Sequence, residues 1–416
     1  MSATDLVDFL NVSPTPWHAV AEVRRRLEAA GYRELSEGDS WKVSAGDKVF
    51  VIRAGTTIAA FELGTEAPEK TGFHLVGAHT DSPNLRLKPS GLSEQHHQHV
   101  AGVEPYGGVL LYTWLDRDLF LAGRILKRDG SATLVRTKAV ARVPALAIHL
   151  DRQVNADGLK LNPQKHMPPV LGLTSGGALS LEEVLDEPGE IVGFDLCFTD
   201  AQPSALVGAR DEYVMSGRLD NLASCHAAVC ALLACPTAGK RSRGIVLYDH
   251  EECGSQSAQG AQSSFLRDVL ARLVFARGGS GVDALPRAIH HSLMISADMA
   301  HAIHPNHADK HEPAHAPIFG GGPVIKINTN QRYATDGETA ARFEGFCRDA
   351  GVDCQRFVTR SDLACGTTIG PITAALLGIR TVDVGNPMLS MHSAREMCAA
   401  ADVPKMIAAL TAAFAD

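Results

Sequence analysis

Hydrophobic positions along the chain fall into two patterns. Short unbroken apolar runs recur at Phe73–Ala78, Ile245–Tyr248, Leu293–Ala297 and Thr381–Gly385, and each predicts a strand buried on both faces, as inside a parallel sheet. Apolar residues at helical spacing predict helices over Asp5–Leu10, His18–Ala30, Leu222–Leu233, Ser263–Val274, Thr335–Asp349, Gly366–Leu377 and Val403–Phe414. Pro14 and Pro16 separate the first two. Lys48–Arg53 and Thr57–Leu63 read as a hairpin turning at Ala54-Gly-Thr56, and Pro323–Asn328 as a further strand. Free N–H groups where Gly366-Thr-Thr368 opens its helix favour an anion or a polarised carbonyl.

Between about Pro89 and Val214 the pattern changes. Short β-like runs at Val109–Trp114, Leu119–Ile125, Ala132–Arg136, Ala139–Val143 and Ile191–Thr199 alternate with turn residues. The expected organisation is an α/β domain built from residues 1–88 and 215–416, interrupted by a mostly β insertion over 89–214. A long excursion of one and the same domain is the alternative.

The strand ends carry the chemistry. Ile245–Tyr248 stops in Asp249-His-Glu-Glu252, and Gly254 then allows a sharp turn. Phe73–Ala78 ends in His79-Thr-Asp81, Leu293–Ala297 in Asp298, and Thr381–Gly385 leads to His392. Asp220 directly precedes the helix over Leu222–Leu233. Open α/β sheets bind ligands just outside the carboxyl ends of their strands. Adjacent glutamates are usually a solvated pair, but glutamates behind a buried strand repel each other unless a cation holds them. Two histidines and several carboxylates form the nitrogen and oxygen donor set that suits zinc. Asp81, two residues after His79 on an extended segment, can accept a hydrogen bond from its ring and fix the tautomer. So many donors are crowded around one ion but natural for two sharing a bridging carboxylate. The side chains of Glu251 and Glu252 diverge, so one can bind metal while the other serves as general base.

Other imidazoles read differently. His96-His-Gln-His99 sits among polar residues and reads as a solvated loop, as does Asn162–Pro169. His149, in the apolar run Val143–Leu150, reads as a satisfied core histidine. His301, His304, His307, His311 and His315 resemble a helical metal face, but Pro305, Pro313 and Pro317 forbid a continuous helix.

Charge and composition remove other classes. The net charge of −8 argues against nucleic acid or an anionic membrane as a main partner. Nine cysteines with no CxxC pair read as reduced thiols. The N-terminus lacks a basic segment followed by a long apolar run, and no stretch is long enough to span a membrane, so a cytoplasmic location is expected. There is no G-x-S-x-G elbow, H-E-x-x-H helix, G-x-x-x-x-G-K-[ST] loop or G-x-G-x-x-G loop.

The blocks Gly77-Ala-His-Thr-Asp-Ser-Pro83, Ser216-Gly-Arg-Leu-Asp-Asn221, Asp249-His-Glu-Glu-Cys-Gly-Ser255, Ser296-Ala-Asp-Met-Ala-His301, Gln331-Arg-Tyr333 and Met391-His-Ser-Ala-Arg-Glu396 together resemble the M18 family of metallo-aminopeptidases, of the aspartyl aminopeptidase type. The resemblance implies a zinc-exopeptidase-type α/β/α sandwich with an inserted dimerisation domain. It implies two zinc ions per subunit, with Asp220 bridging, His79 and Asp298 on one ion, Glu252 and His392 on the other, and Glu251 as general base. Asp81 orients His79, and Lys326 and Tyr333 contact substrate. His149 matches a histidine that reaches into a neighbouring subunit's site, in place of the core role its apolar run suggests. Subunits are expected to form a dodecamer built from dimers.

The expected activity is therefore removal of an N-terminal residue, preferentially Asp or Glu, from peptides with a free N-terminus. Two alternatives stand beside it: a broad-specificity M18 aminopeptidase preferring neutral or apolar residues, and a non-catalytic, metal-stabilised assembly.

Overall fold

The computed structural model describes residues 2–235 and 239–416. A nine-stranded mixed sheet forms its centre. From edge to edge its strands are Arg33–Glu34, Lys48–Arg53, Thr57–Glu62, Ser242–Tyr248, Phe73–His79, Leu293–Ala297, Arg380–Gly385, Val324–Ile327 and Gln355–Val358. The four strands from Ser242–Tyr248 to Arg380–Gly385 run parallel to one another. Thr57–Glu62 and Val324–Ile327 flank them antiparallel. The expectation of a parallel neighbourhood for Ile245–Tyr248 thus holds on one side only.

Every residue of Ser242–Tyr248 and Phe73–His79 is buried, which explains the unbroken apolar runs. Successive side chains serve opposite faces. Ile245, Leu247, Val76 and Ala78 join a core with the helices Ala3–Val12, Pro16–Ala29, Leu219–Ala234, Gly337–Asp349 and Asp402–Ala415. Val246, Tyr248, Phe73 and Leu75 pack on the other side against Phe265–Ala276, Ala284–His290 and Ile369–Leu377. The result is an α/β/α sandwich whose central strands are covered on both faces. Among the described residues no helix is long and apolar enough to cross a membrane.

Six antiparallel strands between Asn84 and Asp200 close into a barrel with its own core, centred on Leu85, Trp114, Leu121, Ile125 and Phe198. Its strands are Asn84–Gln95, Gln98–Tyr106, Asp118–Lys127, Ala132–Arg142, Val170–Leu173 and Ile191–Asp200. Several sequence expectations are corrected here. Val109–Trp114 is an irregular stretch entering a 3-10 turn at Leu111–Trp114, because its apolar side chains enter the barrel core singly rather than by alternation. Ala132–Arg136 and Ala139–Val143 are one strand, Ala132–Arg142, with register shifts opposite Phe120. His96 and His97 form an exposed hairpin turn, but His99 lies in the returning strand, buried, with its Nε2 3.0 Å from the Gly177 carbonyl. His149 is not a core residue. It stands exposed on a one-turn helix, Ile148–Leu150.

A third, five-stranded sheet, Ala205–Val207, Tyr213–Ser216, Glu396–Ala399, Pro387–Leu389 and Ala300–His301, joins the chain between the barrel and Asp220 to the segments that follow Asp298 and flank His392. At the start of Ile369–Leu377 the anticipated anion is the protein's own. Thr368 caps the helix by accepting from Gly370 N (3.2 Å) and donates to Asp383 Oδ1 (2.5 Å).

Candidate metal centre

The carboxyl ends of the four parallel strands converge on one cluster. His79 is the last residue of its strand, Glu251 and Glu252 follow Tyr248 in a 3-10 turn, and Asp298 follows Ala297. His392 comes from the loop between Pro387–Leu389 and Glu396–Ala399, and Asp220 from the irregular first turn of Leu219–Ala234. His79 Nε2 lies 3.4 Å from Asp220 Oδ1, 3.8 Å from Asp298 Oδ1 and 4.0 Å from Glu251 Oε2. His392 Nε2 lies 3.5 Å from Asp220 Oδ2 and 3.3 Å from Glu252 Oε2. Asp220 therefore faces both imidazoles with different oxygens, and the donor atoms fall into His79/Asp220/Asp298 and Asp220/Glu252/His392 groups, with Glu251 in reach of His79 and Glu252.

Local backbone aims these side chains. His250 (φ 62°) and His392 (φ 66°) are left-handed, a conformation that costs a non-glycine residue about 1–3 kcal/mol and persists only where the surroundings enforce it. At His392 the enforcement is visible. Its N–H donates to Glu396 Oε1 (2.7 Å), while Glu396 Oε2 accepts from Asp220 N (3.1 Å), so one buried carboxylate ties together the segments bearing both residues. Glu396, Ser82, whose Oγ donates to the Asp220 carbonyl (2.6 Å), and Cys225, whose thiol donates to the His79 carbonyl (2.9 Å), were not picked out as site residues from the sequence. Glu396 and Ser82 left a trace there, inside the Met391–Glu396 and Gly77–Pro83 blocks; Cys225 left none.

Asp81 departs from its expected geometry. His79 Nδ1 donates to the Asp81 main-chain carbonyl (3.1 Å), with the carboxylate 3.4 Å away. The carboxylate instead accepts from Glu251 N (3.1 Å), Glu252 N (3.0 Å) and the Tyr106 hydroxyl (2.5 Å). It thus fixes the turn that carries the two glutamates as well as the imidazole.

The electrostatics are those of an anionic hole. Burial, reinforced by Asp298, Asp81 and Asp220 against the pull of His79, pushes the Glu251 carboxyl up to about 8. Burial and Asp220 raise Glu252 well above the ordinary range. Burial opposes a charge on His79, but the carboxylates of Asp220, Asp298 and Asp81 outweigh it and raise that imidazole. Asp220 Oδ1 and Glu252 Oε1 are buried without any hydrogen-bond partner, and leaving a buried carboxylate oxygen unmatched is costly. A cation between these residues satisfies both oxygens, and mixed carboxylate and imidazole donors fit zinc.

Lys326 and Tyr333 adjoin the cluster. Lys326 is only 2% exposed; its Nζ donates to the Met299 carbonyl (3.2 Å), lies 3.6 Å from Asp298 Oδ2 and sits 5.1 Å from the centre of the Tyr333 ring. Beside Tyr333 opens a cavity of about 310 Å³, bordered by His301, His311, Lys310, Arg360 and Glu312 among others. His149 is not brought into the cluster; it forms no hydrogen bond or ion pair with these residues within the chain.

An α/β/α sandwich with paired carboxylates and imidazoles at its central strand ends is the architecture of a metallopeptidase of the zinc-exopeptidase type. The comparisons agree and go further. The family profile of the aminopeptidase I zinc metalloproteases, M18, matches residues 9–414, and the chain belongs to that family. It is 47% identical over 424 residues to a probable M18 family aminopeptidase 2 of Pseudomonas aeruginosa, covering 99% of this chain and 97% of that protein. Among solved structures it is similar to Ape4 in a complex with Nbr1 (37% identity, TM-score 0.94, 99% of this chain and 85% of that one). It is also similar to the mApe1 dodecamer of S. cerevisiae (28% identity, TM-score 0.86, 99% and 95%). The chain is thus a metallo-aminopeptidase, a hydrolase of peptide bonds.

Proposed function

We propose that the enzyme is a di-zinc aminopeptidase that removes N-terminal residues, preferentially Asp or Glu, from peptides. The observation that carries the two-ion reading is Asp220, whose two oxygens face His79 and His392 separately. In this reading His79 and Asp298 would hold one zinc, Glu252 and His392 the other, and Asp220 would serve both. When bound, zinc supplies Lewis acidity and lowers the pKa of an attacking water towards roughly 7. Glu251, next to both groups but needed by neither, takes the proton of that water and delivers it to the leaving amine as the scissile C–N bond breaks. The water oxygen ends in the new carboxylate of the released residue. Asp81 holds the main chain of Glu251 and the ring of His79 in the required orientation.

The barrel is assigned to assembly, with residues 89–214 as the dimerisation domain, 1–88 and 215–416 as the catalytic part, and a dodecamer like that of mApe1 as the complete particle. Leu146, Ile148 and Leu150, flanking His149, are 65%, 47% and 75% exposed in the single chain, a degree of apolar exposure that fits a covered surface. His149 then belongs to a neighbouring subunit's site, where it stabilises the carbonyl oxygen under attack. Lys326 behind Tyr333, with Lys310 and Arg360 at the adjoining cavity, supports a preference for acidic side chains.

Steady-state cleavage of matched peptides beginning with Asp, Glu, Leu, Ala and Lys, with and without chelator and zinc add-back, tests the proposal. Chelator-sensitive cleavage led by Asp and Glu is expected. Cleavage led by Leu or Ala keeps the mechanism but assigns a neutral pocket, consistent with a Lys326 ammonium fully engaged by Met299 and Asp298. Chelator-resistant cleavage overturns the metal reading.

A further inference from the structure

The metal centre is gripped by one short segment of the barrel. Tyr106 ends the strand Gln98–Tyr106, and its hydroxyl donates to Asp81 Oδ2 at 2.5 Å. The Arg86 guanidinium lies 4.0 Å from the centre of the Tyr106 ring and steadies its face. Two residues on, the Gly108 carbonyl accepts from His392 Nδ1 at 3.1 Å. That bond puts the ring proton on Nδ1 and leaves the lone pair of Nε2 facing Asp220 and Glu252. The main chain closes in equally tightly between these contacts. Gly107 is left-handed (φ 72°), and a Cβ there would stand 3.0 Å from Glu252 Cβ; a Cβ on Gly108 would stand 3.0 Å from His392 Nδ1. Leu110 N donates to the His392 carbonyl (3.2 Å), completing the attachment.

We infer that Tyr106-Gly-Gly108 is a positioning strap for both halves of the metal centre. Tyr106 orients Asp81, and through it His79 and the main chain of Glu251 and Glu252. Gly108 sets the tautomer and direction of His392. The two glycines suit the strap because a Cβ on either would force its neighbour in the centre to give by a few tenths of an ångström, and because Gly107 is left-handed. The barrel is accordingly part of the catalytic unit within its own chain, in addition to any role between chains. The inference rests on the assignment of His79, Glu252 and His392 as metal ligands.

Tyr106→Phe removes one hydroxyl and leaves the ring, while Gly108→Ala pushes a methyl against His392. The test measures zinc content and zinc release into graded chelator with a zinc-indicator dye, together with kcat and KM and circular dichroism. Partners behind a metal ligand are typically worth about 10–100-fold in metal affinity or activity. Each variant is expected to release zinc about 10-fold more readily than wild type, with kcat reduced, KM little changed and activity partly restored by excess zinc. Should Gly108→Ala fail to fold, the Tyr106→Phe result decides. Variants that hold zinc and turn over as wild type does overturn the strap while leaving the ligand assignment intact. A wild type from which chelator removes no zinc overturns the ligand assignment and the strap with it.

Discussion

Asp220 is the residue on which the centre turns. It is buried, its two oxygens point to different imidazoles, and its own N–H is held by Glu396, which also holds the N–H of His392. Glu251 lies within reach of His79 and Glu252 but outside both of the groups that share Asp220, which suits a proton carrier. Glu251→Gln keeps the shape and loses the proposed base. Turnover is expected to fall by about 10²–10⁴-fold with zinc content unchanged by metal analysis; retained turnover excludes the role. A second residue-scale prediction concerns His74, which is buried in the fold away from the centre. Its Nδ1 donates to the Ala413 carbonyl (2.7 Å) and its Nε2 accepts from Arg241 (2.8 Å), so the neutral ring is fully used. Burial first, then Arg241 and Arg342, lower its pKa to about 4, with the Ala413 carbonyl and Asp416 pulling the other way. An unfolded imidazole takes up its proton near pH 6.5, so between that pH and about 4 the unfolded chain binds more protons. The contribution is present above pH 6.5 and is lost as pH falls towards 4, by up to about 3 kcal/mol. Thermal midpoints should drop over this window, and His74→Gln should flatten that slope.

At the scale of elements, the strand Ser242–Tyr248 links packing to chemistry. Its alternate residues lock into two cores while its end delivers Glu251 and Glu252. Leu247 is fully buried beneath the helices of one face. Leu247→Ala should cost about 2–5 kcal/mol, read as a shift in the denaturant midpoint, with zinc affinity at low denaturant nearly unchanged because the other three strand ends still define the cluster. This strand was legible because burial on two faces writes an unbroken apolar run. Asn84–Gln95 was not: it mixes Arg86, Lys88, Pro89 and Gly91 with its apolar residues, and its pairing shifts register between Leu87 and Leu92. Val109–Trp114 misled in the opposite direction, since an apolar run reports burial and not backbone conformation.

At the scale of the molecule, the barrel meets the sandwich at the metal centre and also presents exposed leucines and isoleucine around His149. If that face is an interface between copies, Leu150→Asp should lower the mass of the particle in light scattering and reduce activity even at saturating zinc. A particle of unchanged mass removes the interface from this surface. Chelator treatment separates the two roles of the molecule: loss of turnover with the particle intact is expected for catalytic ions, whereas dissociation would mark them as structural.

What the sequence determined by itself was the set of central strands and the identity of the residues at their ends. Both follow from local physics, because double-sided burial demands apolar runs and the charged residues must wait until the strand leaves the core. What only the tertiary structure decided is how those residues are held. His392 and Gly108 are 284 positions apart, and Tyr106 and Asp81 are 25 apart in different structural units. No periodicity encodes such meetings; they arise when the closed barrel is laid against the sheet. The tertiary structure likewise leaves His149 exposed beside an apolar run, gives the Asp81 carboxylate two peptide N–H groups and a tyrosine as partners, and sets the glycines at 107 and 108 against Glu252 and His392.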